Sequence, residues 1–502
     1  MNLDDLRKEI DKIDDKLLQL FQERMGIVKD IAEYKKVHNI PILNSELEKV
    51  KLSDIISKTD DELVSYTQIL FNTLFDISKS YQEKLNISKP AALGYSDKKF
   101  GLLGAELQHS YSPLIHSHLG DYEYGLYEKQ PDQLYDFVHN SDLDGFNVTI
   151  PYKKDIMKYC NILTPIAKRT GSVNTVIGRA NNLTGDNTDY YGFRYMIERS
   201  GINPEGKKVL LLGDGGSAAT IKAAIQDMNA GCLVTISRRG QDNYGNISNH
   251  YDSDIIINST PVGMYPDNGK TVIDISSFKK CIALFDLIYN PAQTRLMYEA
   301  SKLGIKAYNG LSMLAAQAKK AAELFTESVI NDSVIERVVE KVAKKTGNIV
   351  LIGMPGSGKS TVGKALAELT ERAFIDTDEV IAATYNKSAS DIIKDKGEVF
   401  FRDIETKVLE KVTKQSNCVI STGGGVVTKE RNRYLLRQNG IVVFLKRDLS
   451  LLSTLDRPLS QQNTLEELYK ARKNNYLGWS DYQIDCDDTD KAHLKIYEVL
   501  GL

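Results

Sequence analysis

Nine consecutive residues, Gly353-Met-Pro-Gly356-Ser357-Gly358-Lys359-Ser360-Thr361, have the types and spacing that hold a polyphosphate. Glycines let the backbone wrap a phosphate, and a following helix offers unpaired N–H groups and its positive dipole end. In such a loop Lys359 reaches the outer phosphates and Ser360 holds Mg²⁺. A second turn, Gly213-Asp-Gly215-Gly216-Ser217-Ala218, has the G-x-G-x-x-A spacing that seats a dinucleotide pyrophosphate. Ser237-Arg238-Arg239 then stands where NAD enzymes place an acid for the ribose hydroxyl. Two guanidinium groups there favour a ribose 2′-phosphate, hence NADP. The two turns imply a triphosphate site and a nicotinamide site in one chain.

Both turns need a strand in front and a helix behind. Asn348–Ile352 is a short apolar run, and Val362–Leu369 has helical apolar spacing. Lys207–Leu212 predicts a strand, a helix runs to about Met228, and Leu233–Ser237 closes a βαβ unit. Strand-like and helix-like runs alternate over residues 99–330, the α/β signature, with the dinucleotide part at about 200–310. Residues 347–502 hold the phosphate-loop domain, with a parallel sheet, and the charged amphipathic helix 331–346 marks the boundary before it.

The first 88 residues carry no strand signal. Leu3, Leu6, Ile10, Ile13, Leu17, Leu20, Ile27 and Ile31 predict one amphipathic helix to about Val37. Such a helix is roughly 50 Å long at 1.5 Å per residue. Further helices are expected near Ser45–Ser57 and Asp60–Leu85, after Pro41, and residues 86–97 read as linker. Three helices cannot cover so long a stripe, so this all-α domain is expected to form a homodimer.

A chain of 502 residues, 42% hydrophobic and 26% charged, belongs with ordinary globular proteins of several domains. A net charge of −3 gives no reason to expect nucleic acid or an anionic membrane as partner. The five cysteines are scattered without a C-x-x-C pair, a reduced pattern, and the first residues show no apolar leader. The expected compartment is the cytoplasm. His109, His116 and His118 lack a carboxylate or cysteine at ligand spacing, so no metal is assigned to them.

After the phosphate loop come Phe374-Ile-Asp376-Thr-Asp378, Gly397-Glu-Val-Phe-Phe-Arg402, Ser421-Thr-Gly423-Gly424-Gly425, Arg457-Pro-Leu and Arg472. On these motifs the C-terminal block resembles shikimate kinase over its whole length. The resemblance implies that Asp376 helps hold Mg²⁺ and that Asp378 accepts the proton of an attacking hydroxyl. Arg402 and Arg472 clamp a carboxylate, Gly424 and Gly425 bring backbone N–H groups to the substrate, and Arg457 steadies the γ-phosphate from a lid. A kinase of neutral polyols would leave the two arginines nothing to bind. The lid carries one arginine where relatives often have two basic residues, and Asn474 stands where a proline is usual.

The middle block is similar to shikimate dehydrogenase. The residues are Gly101 to Pro113 with Ser110 and Ser112, Gly145-Phe-Asn147-Val-Thr149-Ile-Pro-Tyr-Lys153, Gly171-Ser-Val-Asn174, Gly185-Asp-Asn-Thr-Asp189, and Gly310 to Gln317. The two serines are those the family uses on the substrate carboxylate. Reducing a ketone by hydride makes an alkoxide, so a proton donor lowers the barrier; Lys153 is that donor and Asp189 its partner. Asn147, Thr149, Asn174 and Gln317 suit ring hydroxyls.

The helical block resembles the all-helical type of chorismate mutase, whose positive pocket maps onto Arg7, Arg24, Lys35, Glu48, Ser78 and Gln82. Arg24 and Lys35 are eleven residues apart, about three turns, and share a helix face. Where that family reads Asp-x-x-Arg-Glu, this chain has Asn44-Ser-Glu-Leu47-Glu48, so a clamp arginine is missing. Together the resemblances imply NADPH-dependent reduction of 3-dehydroshikimate, ATP-dependent phosphorylation of shikimate, and rearrangement of chorismate. The alternative for the helical block is a non-catalytic dimerisation or ligand-sensing module.

Overall fold

The computed structural model describes residues 3–37, 45–60, 63–64, 67, 70–71, 73–75, 77–78, 81, 97–108, 110–178, 182–452 and 464–502. The chain divides into two compact units, Met1–Asp97 and Lys98–Leu502. The first is helical: Leu3–Val37 is one continuous helix and Ser45–Ile56 a second. Every described position from Val64 to Tyr81 is helical as well. On the long helix only Val28 and Ala32 are buried apolar residues among those described, whereas Leu6, Ile10, Ile13, Leu17, Leu20, Ile27 and Ile31 are 41–61% exposed. The expected third-helix end and the linker at 86–96 lie outside the described residues.

The second unit is built on three sheets. The first contains β1 (Lys99–Gly104), β2 (Glu123–Glu128), β3 (Gly145–Val148), β4 (Ile162–Leu163), β5 (Thr175–Ile177) and β6 (Thr184–Asp186) in the order β2-β1-β3-β5-β6-β4. It is mixed: β5 runs antiparallel to both β3 and β6. The second contains β7 (Lys208–Leu212), β8 (Cys232–Ile236), β9 (Ile255–Asn258), β10 (Ala283–Asp286) and β11 (Lys306–Asn309), all parallel, in the order β11-β10-β9-β7-β8. The third contains β12 (Asn348–Ile352), β13 (Ala373–Asp376), β14 (Cys418–Ser421), β15 (Gly440–Lys446) and β16 (Tyr482–Asp485), parallel in the order β13-β14-β12-β15-β16. Strands with helices on both faces lose the polar alternation, and β7, β9 and β12 are accordingly near-continuous Val, Leu and Ile. In the second and third sheets the chain leaves β7 and β12 toward opposite sides, which opens a crevice at their carboxyl ends.

The helix Ser333–Thr346 joins the last two blocks. Its Ile335, Val338 and Val342 pack with Ile115, Leu311, Ala315 and Ala318 of the middle block. Arg199 grips Glu336 through Nε (2.5 Å) and Nη2 (2.7 Å), and Asp332 meets Lys319 at 2.8 Å. At the other end Asn417 N donates to Thr346 O at 3.0 Å, and Asn348 N to Asn439 O at 2.7 Å, which carries the chain into β12. A second seam lies between the helices Arg295–Lys302 and Glu430–Arg437, where Tyr298 and Tyr434 meet with ring centroids 5.5 Å apart.

Candidate active sites

In the middle block the sheet and one helix pair gather the expected polar residues. Lys153 follows β3, and its Nζ lies 2.6 Å from Asp189 Oδ2, with both side chains only 11–15% exposed. Asp189 opens the helix Asp189–Ser200, where the helix dipole favours the carboxylate. Asn174 Nδ2 donates to Thr188 Oγ1 (3.0 Å) and Gln317 Oε1 (3.3 Å), while Thr188 N donates to Asn174 Oδ1 at 2.7 Å. Asn147 Nδ2 donates to Thr175 Oγ1 at 3.0 Å, and its Oδ1 accepts from the Tyr124 hydroxyl at 2.7 Å. Thr149 is half-buried at the end of β3, its N–H bonded to Leu103 O at 2.9 Å. Ser112 N donates to Ser110 Oγ at 3.2 Å, and Ser112 starts the short helix Ser112–His116.

The packing that makes this network possible is a close helix crossing. A Cβ on Gly192 would lie 2.5 Å from Met313 O and 2.9 Å from Gln317 Cβ, so only glycine lets Gln317 approach Asn174. Tyr124, Thr188, Thr175 and His116 join the network although no sequence motif singled them out for it. His116 stacks on Tyr124 with centroids 3.8 Å apart, and burial pushes its imidazole down to about 3. The signal that could have found Tyr124 is register: β2 pairs with β1 and β1 with β3, the strand that carries Asn147.

The dinucleotide turn follows β7. Gly213 has φ 98°, and a Cβ there would sit 2.8 Å from Thr260 Cγ2. Gly215 and Gly216 are exposed with open space where side chains would stand, and Ala218 is buried as the helix Ala218–Asp227 begins behind Ser217. Arg238 and Arg239 are exposed just past β8, next to Ser237. The turn and the arginines fit a dinucleotide with a 2′-phosphate.

In the C-terminal block the loop after β12 ends in the helix Lys359–Leu369, with Gly356 and Gly358 at φ 84° and 88°. Lys359 folds back onto its own loop and donates to Gly353 O (3.0 Å) and Met354 O (2.9 Å). The Ser357 hydroxyl is buried without a partner among the described residues, whereas Thr361 is exposed. Ser360 Oγ donates to Asp376 Oδ2 at 2.6 Å, and Asp376 Oδ1 accepts from Asp378 N at 2.9 Å, so one carboxylate caps a helix and faces the loop. A hydroxyl and a carboxylate at that spacing fit Mg²⁺.

The glycine turn 423–425 draws the remaining groups together. A Cβ on Gly423 would lie 3.0 Å from Asp378 Oδ1, one on Gly424 would meet Pro355, and one on Gly425 would collide with the Arg402 guanidinium. Arg472 Nη1 donates to Gly424 O at 3.3 Å, and the Tyr476 hydroxyl donates to the same oxygen. Arg402 is bound on two sides: Nη1 meets both Glu405 oxygens at 3.0 Å, and Nε and Nη2 meet Glu398 Oε1 at 3.2 and 2.9 Å. Burial pushes the Glu405 carboxyl up to about 7 even beside that arginine. Glu398 and Glu405, four and three residues from Arg402, were readable as helical ion-pair spacing but were not singled out. Arg457 lies outside the described residues.

In the helical unit Arg24 donates to Ser78 Oγ and, at 3.3 Å, to Leu74 O, and burial lowers its guanidinium pKa. Lys35 is half-buried on the same helix and Arg7 exposed. The side chain of Glu48, and Gln82, lie outside the described residues.

Residues 102–176 match the family model for the shikimate dehydrogenase substrate binding domain, residues 355–500 that for shikimate kinase, and residues 6–83 that for chorismate mutase type II. A shikimate dehydrogenase (NADP(+)) of Clostridium perfringens strain SM101 is 33% identical over 266 residues, covering 49% of this chain and 98% of that protein. One from Methanococcus vannielii is 33% identical over 277 residues, covering 49% and 96%. A crystal structure of a chorismate mutase/shikimate 5-dehydrogenase fusion protein from Clostridium acetobutylicum is 31% identical, covering 49% of this chain and 98% of that one with a TM-score of 0.48. With relatives matched over almost their entire length at one-third identity, and with mutase and kinase segments on either side, the chain belongs to the shikimate dehydrogenase family and is a multifunctional enzyme of the shikimate pathway.

Proposed function

We propose that the middle block reduces 3-dehydroshikimate to shikimate with NADPH and that the C-terminal block phosphorylates the 3-hydroxyl of shikimate with MgATP. The observation that carries the reading is the convergence of two separate clusters: Lys153–Asp189, where nearby Asn187 donates to Thr220 of the helix behind the dinucleotide turn at 3.0 Å, and Arg402–Asp378–Arg472 around the glycine turn that meets Pro355 of the phosphate loop. Bound NADPH supplies a hydride and bound MgATP a phosphoryl group. In the reductase Lys153 gives a proton to the ketone oxygen as charge develops on it, and Asp189 holds the ammonium in place. Asn147, Thr149, Asn174 and Gln317 hold the ring hydroxyls, and Ser110 and Ser112 the carboxylate. Gly213, Gly215, Gly216, Ser217 and Ala218 receive the pyrophosphate, and Ser237, Arg238 and Arg239 the 2′-phosphate.

In the kinase Asp378 takes the proton of the attacking hydroxyl, while Arg402 and Arg472 hold the carboxylate and the N–H groups of Gly424 and Gly425 meet the ring. Lys359 and the loop amides hold the phosphates, Arg457 closes over them, and Ser360 and Asp376 hold Mg²⁺. The N-terminal unit rearranges chorismate around Arg24 and Lys35, which need only cage a dicarboxylate. Its exposed stripe pairs with a second copy, giving a homodimer. The scattered cysteines support a cytoplasmic location, and no described helix is long and apolar enough to cross a membrane.

The test is kinase kinetics on shikimate against its methyl ester. Removing the charge that two arginines read raises KM by more than about tenfold. An ester used as well as the acid removes Arg402 and Arg472 from this role.

A further inference from the structure

Asn147 has little left to offer a ligand. Its Nδ2 donates to Thr175 Oγ1 at 3.0 Å and to Asn174 O at 3.3 Å, which uses both N–H groups of the amide. A backbone carbonyl can only accept, so the end of the amide that faces Asn174 O is the nitrogen. What remains is Oδ1. Among the described residues it takes one bond, from the Tyr124 hydroxyl at 2.7 Å, and keeps a second lone pair. Asn147 therefore meets a substrate as an acceptor, through the atom that Tyr124 holds. Tyr124 is itself clamped. Its strand, β2, pairs with β1, and its ring lies flat on His116, with centroids 3.8 Å and planes 9° apart. His116 is 1% exposed, and its Nδ1 is 2.7 Å from the Tyr122 hydroxyl. Tyr122 meets Phe100 edge-on at 5.1 Å, and Phe100 stacks on Phe325 at 4.4 Å. Burial keeps the imidazole uncharged at neutral pH. A hydroxyl carried on so closely packed a ring makes a hydrogen bond of set direction.

We infer that Tyr124 is a positioning residue of the reductase, which aims Asn147 Oδ1 so that it accepts a hydrogen bond from a ring hydroxyl of the substrate. The inference rests on the substrate role given above to Asn147. The ring carbon that faces Asn147 must then bear an O–H able to donate. Without the Tyr124 hydroxyl the amide is still held at its nitrogen but no longer at its oxygen. Substrate binding weakens, and proton donation by Lys153 does not.

The experiment is a double-mutant cycle in the full chain with Tyr124→Phe, Asn147→Ala and both changes together. Tyr124→Phe raises KM for 3-dehydroshikimate about two- to tenfold, the size expected for one hydrogen bond, with reductase kcat unchanged. Asn147→Ala raises KM at least as much, and adding Tyr124→Phe to it raises KM no further. The substrate is then varied. With one of its ring hydroxyls replaced by hydrogen Tyr124→Phe no longer raises KM, and with the other replaced it raises KM as before. NADPH affinity by fluorescence titration and kinase KM hold steady in every variant, which a general loss of structure would not permit. An unchanged KM in Tyr124→Phe, effects that add, or an equal Tyr124→Phe penalty on both deoxy analogues overturns the inference and leaves Asn147 a substrate contact. If Asn147→Ala leaves KM unaltered, the assignment of Asn147 itself fails and the inference with it.

Discussion

Arg402, proposed above to read the substrate carboxylate, shows how much a single residue depends on its neighbours. A buried guanidinium needs its charge matched, and Glu405, fully buried, supplies that through both oxygens, leaving the more exposed Glu398 on the remaining edge. Glu398, 43% exposed, can yield its edge to a substrate carboxylate, whereas Glu405 has nowhere to go. Because burial holds the Glu405 carboxyl up at about 7, it takes a proton as pH falls through that value and loosens its hold on Arg402. Kinase KM for shikimate therefore rises on the order of tenfold as pH falls across about 8 to 6. In Glu405→Gln the KM is high and flat over the same range; a flat profile in the unaltered protein contradicts the argument. At this scale the sequence was informative wherever chemistry demands a rare type at fixed spacing, as with Lys359, Lys153 or Arg402. It was silent on Tyr124 and gave no role to Thr188, which stands in the motif before Asp189, because only the fold brings these ordinary residues to Asn147 and Asn174.

At the scale of elements, period and punctuation carried most of the reading. The β12–loop–helix unit and the long helix Leu3–Val37 stand where apolar spacing puts them. The mixed order of the first sheet was not legible, because the two-, three- and four-residue strands β3 to β6 are too short to show a period. Nor was the closeness of helices Asp189–Ser200 and Leu311–Thr326, which a single glycine decides. Gly192→Ala must push them apart, at a cost of about 1–3 kcal/mol from overpacking. Chemical denaturation reads the stability loss, and reductase KM rises several-fold as Gln317 withdraws. Unchanged KM and stability would show that the crossing has slack. The exposed stripe of the first helix predicts that Leu17→Asp, which places a charge in the middle of an apolar interface, turns a dimer into a monomer by sedimentation. A wild-type chain that sediments as a monomer contradicts the pairing.

For the whole molecule the order of blocks was readable because each has its own motif set. The joining of the last two was not, since the seam is made of unremarkable residues such as Asn439 and Gln438. The helix Ser333–Thr346, which reads in sequence as a boundary, buries its apolar face in the dehydrogenase and delivers its end to the kinase sheet. Two chemistries are thus held in one folded unit, and the proposed proton-handling residues, Lys153 and Asp378, are separate. The central claim is tested most directly by giving the protein 3-dehydroshikimate, NADPH and MgATP together and following NADPH loss, ADP gain and phosphorylated product in the unaltered chain, Lys153→Ala and Lys359→Ala. The account predicts both signals in the unaltered chain. Lys153→Ala consumes no NADPH yet still phosphorylates added shikimate, and Lys359→Ala oxidises NADPH without forming ADP. Loss of both activities in either folded variant, or NADPH oxidation that yields no substrate for the kinase, contradicts it.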